Sequence, residues 1–112
     1  MPHAAEFLSG FGLIQGHQVD GYTLISAHST HESISRYQEY KYKITLQFRN
    51  DGSGDYNKLF YSLSAIIGQE HIIYGVRNPY RCVIDPPQHG DIIEEPDRSI
   101  TVHLLGHSYR TN

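Results

Sequence analysis

The clearest pattern in the chain is a strict alternation between Glu39 and Arg49. Tyr40, Tyr42, Ile44, Leu46 and Phe48 share one parity, and Glu39, Lys41, Lys43, Thr45, Gln47 and Arg49 share the other. A period of two puts successive side chains on opposite faces of a strand, so the segment predicts a half-buried strand, apolar face inward and basic-polar face outward. The period then changes. After the break Asn50-Asp51-Gly52-Ser53-Gly54, the residues Leu59, Phe60, Leu63, Ile66 and Ile67 fall on one face of a helix. Asp55 stands where its carboxylate caps the first turn, and Gly68 suits the left-handed residue that ends such a helix.

Weaker patterns flank these two. Tyr22 to His28 predicts a strand, and the polar stretch from Ser29 to Arg36 predicts a loop or a long hairpin connection. Ile72 to Val76 and Tyr80 to Ile84, punctuated by Asn78-Pro79, predict a hairpin. Asp85-Pro86-Pro87 and the residues up to Arg98 predict a long acidic loop, because proline removes donors and fixes extended geometry. Ser99 to Leu105 predicts the closing strand. Before Tyr22, Gly10, Gly12 and Gly16 interrupt both periods, so residues 1–20 are expected to form a loose arm or a short edge strand. The order β-β-α-β-β-β predicts an α+β fold: an antiparallel sheet of about four to five strands with one helix packed on one face, in a single domain over 1–112. One helix leaves the other sheet face partly bare.

Composition narrows the function classes. The 112 residues carry a formal net charge of -3 and only 19% charged side chains, which argues against a strongly basic nucleic-acid binder and against an acidic disordered tail. The single cysteine, Cys82, excludes an internal disulfide. No apolar run approaches a membrane span, and the first residues lack a basic segment followed by an apolar one, so a cytoplasmic protein is expected, or one assembled from a cytoplasmic pool. Nine Tyr and eight His on a weakly charged chain suit protein contact.

Candidate chemistry is sparse. His28, His31 and Glu32 would offer metal ligands on a helix, but the order is not that of a zinc peptidase and the setting is polar. His28-Ser29-Thr30 and His107-Ser108-Tyr109 approximate the paired motifs of a two-histidine phosphoesterase, with Tyr109 where the second hydroxyl belongs. Cys82 reads as a buried thiol, since alternation turns it away from Arg81. Arg36, Tyr37, Lys41, Lys43, Gln47 and Arg49 make a basic stripe that would hold phosphates, with one aromatic for stacking. Asp85, Asp91, Glu94, Glu95 and Asp97 make an acidic counterpart without calcium-loop spacing. Phosphate-loop, dinucleotide, paired-cysteine and nucleophile-elbow motifs are missing. No catalytic, cofactor-binding or metal residue is assigned, and a non-enzyme is expected.

From Tyr22-Thr-Leu-Ile-Ser, through the Tyr-rich strand ending Lys-Ile-Thr-Leu-Gln-Phe, the helix from Asp55 to Ile67 and Gly90-Asp91-Ile92, to the strand Arg98-Ser-Ile-Thr-Val-His-Leu-Leu, the chain resembles the small tail-completion, neck and tail-terminator proteins of tailed bacteriophages. The N-terminal helix common in those proteins has no counterpart in the pattern before Tyr22. The resemblance implies a structural role in a ring at the head–tail joint or tail end, with no catalytic residues to carry over. The leading expectation is therefore a homo-oligomeric assembly protein that meets other virion proteins, without cofactor or membrane. Its contact residues would be Ile92, Ile93, Asp91, Glu94 and Glu95 in a projecting loop, docking on Tyr37, Lys41, Lys43 and Arg49 of the next subunit. The alternatives are a small binding or inhibitor module, one that contacts nucleic acid through the basic strand, and thirdly the phosphoesterase.

Overall fold

The computed structural model describes residues 8–35, 39–67, 71–74 and 79–110. The described strands are β1 (Gln18–Val19), β2 (Tyr22–Ser35), β3 (Glu39–Asn50), β4 (His71–Tyr74), β5 (Pro79–Ile84), β6 (Ile92–Glu94) and β7 (Ile100–Arg110), with helix α1 (Tyr56–Ile67) between β3 and β4. They form one antiparallel sheet in the order β1-β2-β3-β7-β5-β4, and β6 also pairs with β7. The fold is α+β. The expected β-β-α-β-β-β order lacked β1 and β6, and the sheet has seven strands among the described residues.

β3 is the centre, paired with β2 from Tyr22↔Asn50 to Ser35↔Glu39 and with β7 from Phe48↔Ile100 to Tyr40↔Ser108. Its alternation is realised directly: Tyr42, Ile44, Leu46 and Phe48 are buried, while Lys41, Lys43, Gln47 and Arg49 are exposed. Leu59, Leu63 and Ile67 of α1 close the core against that face, with Phe60 and Ile66 partly buried beside them. Asp55 caps the helix as its position predicts, Oδ1 accepting from the Asn57 amide at 3.0 Å and the Lys58 amide at 3.3 Å. Gly68 lies outside the described residues.

Three expectations are corrected. First, from Leu8 onward the N-terminal stretch is docked: Leu8, Phe11 and Leu13 are buried in the core, and Leu8 and Ser9 are helical. Val19-Asp20-Gly21-Tyr22 then makes a two-residue hairpin, with φ of 49° at Asp20 and 85° at Gly21, the left-handed pair that suits the twist of two strands. Gly21 is required twice over, because a Cβ there would stand 2.6 Å from the Ser53 backbone.

Second, the polar stretch after His28 is strand. β2 keeps register with β3 throughout, broken only by irregularities at Ile25 and at Ile34, because a long central partner supplies the backbone bonds that the local sequence does not advertise.

Third, the acidic segment does not project as a whole. Ile92–Glu94 pairs with Ile100–Val102, and Ile92 is only 4% exposed. Tyr56 Oη reaches the carbonyl oxygens of His89 (3.0 Å) and Ile92 (3.2 Å), and His89 stacks on Phe60 at 4.1 Å, so the segment is fastened to α1. Apolar Ile92 has its cover within its own domain, while Ile93 stays 42% exposed.

Leu63→Ala removes a fully buried side chain from the α1–β3 contact and is expected to cost about 2–5 kcal/mol in denaturant unfolding. A cost below about 0.5 kcal/mol would contradict this packing. At the end of the β2–β3 ladder, Asp51 accepts from Thr23 Oγ1 (2.5 Å) and Arg49 Nε (3.1 Å). The Thr23 hydrogen bond, aided by the Arg49 guanidinium, holds the Asp51 carboxyl below its ordinary value. A depressed folded value means that this link stabilises at neutral pH and is lost as pH falls through it. Thr23→Val is expected to move the Asp51 titration upward, read by NMR; an unmoved titration would assign the shift elsewhere.

Candidate interaction surface

α1 covers one face of the sheet. The opposite face is built from the outward residues of β2, β3 and β7, and the strand register fixes their rows. His28 lies opposite Thr45, which lies opposite His103; Thr30, Lys43 and Leu105 form the next row; Glu32, Lys41 and His107 the third. The apolar parity is spent on the core, so this face is left with polar groups and one exposed leucine, Leu105, at 47%.

A cavity of about 560 Å³ opens on this face where β7 changes partners. β5 pairs with β7 from Tyr80↔Arg110 to Ile84↔Gly106, and β6 pairs with Ile100 to Val102. Between them the Asp85 amide donates to the Leu105 carbonyl at 2.8 Å, and then Pro86 and Pro87, which have no N–H, leave the sheet. The gap is lined by Pro86, Pro87 and Leu105 with Lys43, His103 and Asp91 around them. Thr45 Oγ1 stands 3.5 Å from His103 Nδ1, and Asp85 Oδ1 is 4.0 Å from His107 Nδ1.

The sequence-predicted site residues separate into groups. Lys41 and Lys43 are exposed on the bare face as expected. Arg49 is bound to Asp51 at 3.1 Å, so its charge is engaged at the end of β3. Tyr37 lies outside the described residues, as does Arg36. Asp91 lines the same cavity as Lys43, and its Oδ2 accepts from the Gln88 amide at 2.8 Å. The acidic segment thus approaches the basic stripe of its own chain. Glu94 is exposed on β6, and Glu95 accepts from Thr101 Oγ1 at 3.2 Å.

The histidine motifs are dispersed. His28 shares a face with Thr45, while His31 shares the opposite face with Tyr42 and packs on Tyr40 and Tyr42 at ring distances of 5.4 and 5.9 Å. They do not converge on one ion, and among the described residues no cluster of three potential ligands occurs. His28 and His107 share the bare face, but their rows are four β3 residues apart and β3 lies between their strands. At about 3.3 Å per residue and 4.8 Å per strand the separation is roughly 16 Å, too far for one imidazole to act as base and the other as acid on a single phosphate. Cys82 is buried, and burial pushes its thiol up to about 12.

A further feature lies at the edge of the sheet. β1 pairs only with Tyr22 and Thr23, and from Ser26 to Ile34 no described strand lies on the outer side of β2. An apolar cavity of about 520 Å³ adjoins this edge, lined by Leu8, Leu13, Ile14 and Ile25 with Ser26 and Ala27. Ile14, Ile25 and Ile34 are 53%, 41% and 55% exposed. Reading residues 29–36 as a loop hid this edge; the signal was the unbroken β-compatible run from Tyr22 to Ile34, without Gly or Pro.

No protein-family model, curated protein or solved structure matches the chain. Among the described residues, no helix is long and apolar enough to cross a membrane.

Two exposed lysines two residues apart offer few contacts to phosphates, so oligonucleotide affinity at physiological salt is expected to be negligible. Tight, salt-sensitive binding that disappears in Lys41→Ala/Lys43→Ala, measured by fluorescence anisotropy, would reverse that conclusion.

Proposed function

We propose that this chain is a non-catalytic structural assembly protein that works by associating with copies of itself. The observation that carries the reading is the long outer side of β2, a run of backbone donors and acceptors on which no described strand lies. Proteins ordinarily blunt such an edge with lysine, proline or a cover, because it templates pairing with another chain. Between Ser26 and Ile34 there is no lysine and no proline, and Glu32 is the one carboxylate. The irregularity at Ile25 and the charge of Glu32 limit open-ended pairing without abolishing it. The bare face with its Lys41–Lys43 stripe adds a second, polar surface for other components.

A ring at a bacteriophage neck or tail end is the setting that the strand–helix–strand resemblance suggests for such a module. The acidic segment is a weaker candidate for the ring contact than the expected arrangement assumed. Ile92 is covered internally, and Asp91 lines the same cavity as Lys43 of its own chain. Ile93 and Glu94 remain as exposed contributors.

Sizing with light scattering on the full chain tests the reading. A mass that is a defined multiple of the chain mass is expected at micromolar concentration. A monomer that persists to millimolar concentration would overturn it.

A further inference from the structure

We propose that the cavity of about 560 Å³ beside β7 binds a single nucleobase, as the free base or the nucleoside, through the backbone of His103 and Leu105. The site is separate from the self-associating reading above and does not depend on it.

The cavity exists because the ladder on the outer side of β7 is interrupted. From the β5 end, pairing stops at Ile84↔Gly106, and the last bond runs from the Asp85 amide to the Leu105 carbonyl at 2.8 Å. From the β6 end, pairing stops at Ile92↔Val102. Leu105 therefore turns its backbone toward β5. Backbone direction alternates along a strand, so His103 turns its own the same way. Two groups in the gap are not taken up by the ladder. Among the described residues, the Leu105 N–H makes no return bond to Asp85. The His103 carbonyl receives none from the Asp91 amide, which donates to the Gln88 carbonyl at 3.0 Å. Pro86 and Pro87 have no N–H to offer it. An acceptor and a donor thus face the cavity together, one on each side of Leu104.

The width of the gap selects the ligand. Asp85 closes it at one end and Ile92 at the other, so it admits no additional strand. A planar group with a donor beside an acceptor matches it, and every nucleobase carries such a pair on its Watson–Crick edge. A primary amide carries the same pair but would leave most of the cavity empty, and about 300–1,000 Å³ is the range of pockets that hold whole small molecules. Pro86, Pro87 and the half-exposed Leu105 supply apolar surface for the ring faces. Charge then separates the neutral ligand from its phosphorylated forms. Asp85 and Asp91 line the cavity with Lys43, so two carboxylates face one ammonium, and a phosphate gains little there. A base without phosphates also agrees with the negligible oligonucleotide affinity expected above.

The test is a titration of the ¹⁵N-labelled full chain with adenosine, guanosine, cytidine and uridine, followed by amide spectra. At least one nucleoside is expected to move the Leu105 amide saturably, at millimolar concentration or below, together with other residues of the cavity. For the base that binds, full methylation of the nitrogen that donates to His103 is expected to weaken it about tenfold, one hydrogen bond's worth. Leu105→Ala keeps the N–H, removes an apolar wall and is expected to weaken binding several-fold with an otherwise native spectrum. No saturable shift from any of the four nucleosides would refute the site. So would shifts that bypass Leu105, or an affinity indifferent to both methylation and Leu105→Ala. A 5′-monophosphate or an oligonucleotide that binds more tightly than the nucleoside would contradict the choice of a neutral ligand.

Discussion

The whole arrangement depends on β3 having two partners and two unlike faces. Its backbone is bonded to β2 on one side and β7 on the other, which leaves it little freedom to slip. A shift of one residue would carry Tyr42, Ile44, Leu46 and Phe48 to the solvent side and Lys41 and Lys43 into the core. That penalty fixes the register of β2 and β7. The rows His28–Thr45–His103 and Glu32–Lys41–His107 are consequences of it rather than independent features. α1 needs one apolar face to lie against, and the even positions of β3 provide the middle of it. Asp55 starts the helix close to the end of β3, and Asn50 Oδ1 shapes the intervening turn by accepting from the Gly52 and Gly54 amides.

What was legible in the sequence is what short-range physics decides. The alternation in β3, the helical face of Leu59, Leu63 and Ile67, and the Asp55 cap each follow from a few neighbouring residues, and each is present. What was hidden depends on partners distant in sequence. Residues from Ser29 onward look like a loop in isolation, yet β3 offers them a ladder and they take it. Ile92 looks like an exposed contact until β6 pairs with β7 and the Tyr56 hydroxyl fastens the segment to the helix, whereas Ile93 stays exposed. The docked stretch from Leu8 to Leu13 was masked by glycines that break periodicity without preventing burial of the apolar residues between them. The hairpin at Asp20-Gly21 was in principle readable, because that dipeptide is a strong signal for a two-residue turn.

The candidate site was legible only in part. The basic stripe on the bare face follows from parity alone, and Lys41 and Lys43 stand where parity puts them. Its extent does not follow, because Arg49 is engaged with Asp51. The edge of β2 required knowledge of which strand is central and of how far β1 reaches, neither of which has a local signature. α1 covers one face, and the short β1 covers the first two residues of a long edge. In this account function arises from what the fold leaves incomplete.

Residue-resolved amide hydrogen exchange along β2 tests that claim most directly. In dilute solution the outward amides of Ala27 and Ser29 should exchange fast, alternating with slow His28 and Thr30 amides bonded to β3. On concentration the Ala27 and Ser29 amides should slow while the alternation disappears. Outward amides that are already slow at high dilution, or that stay fast at concentrations where the chain has associated, would contradict the account.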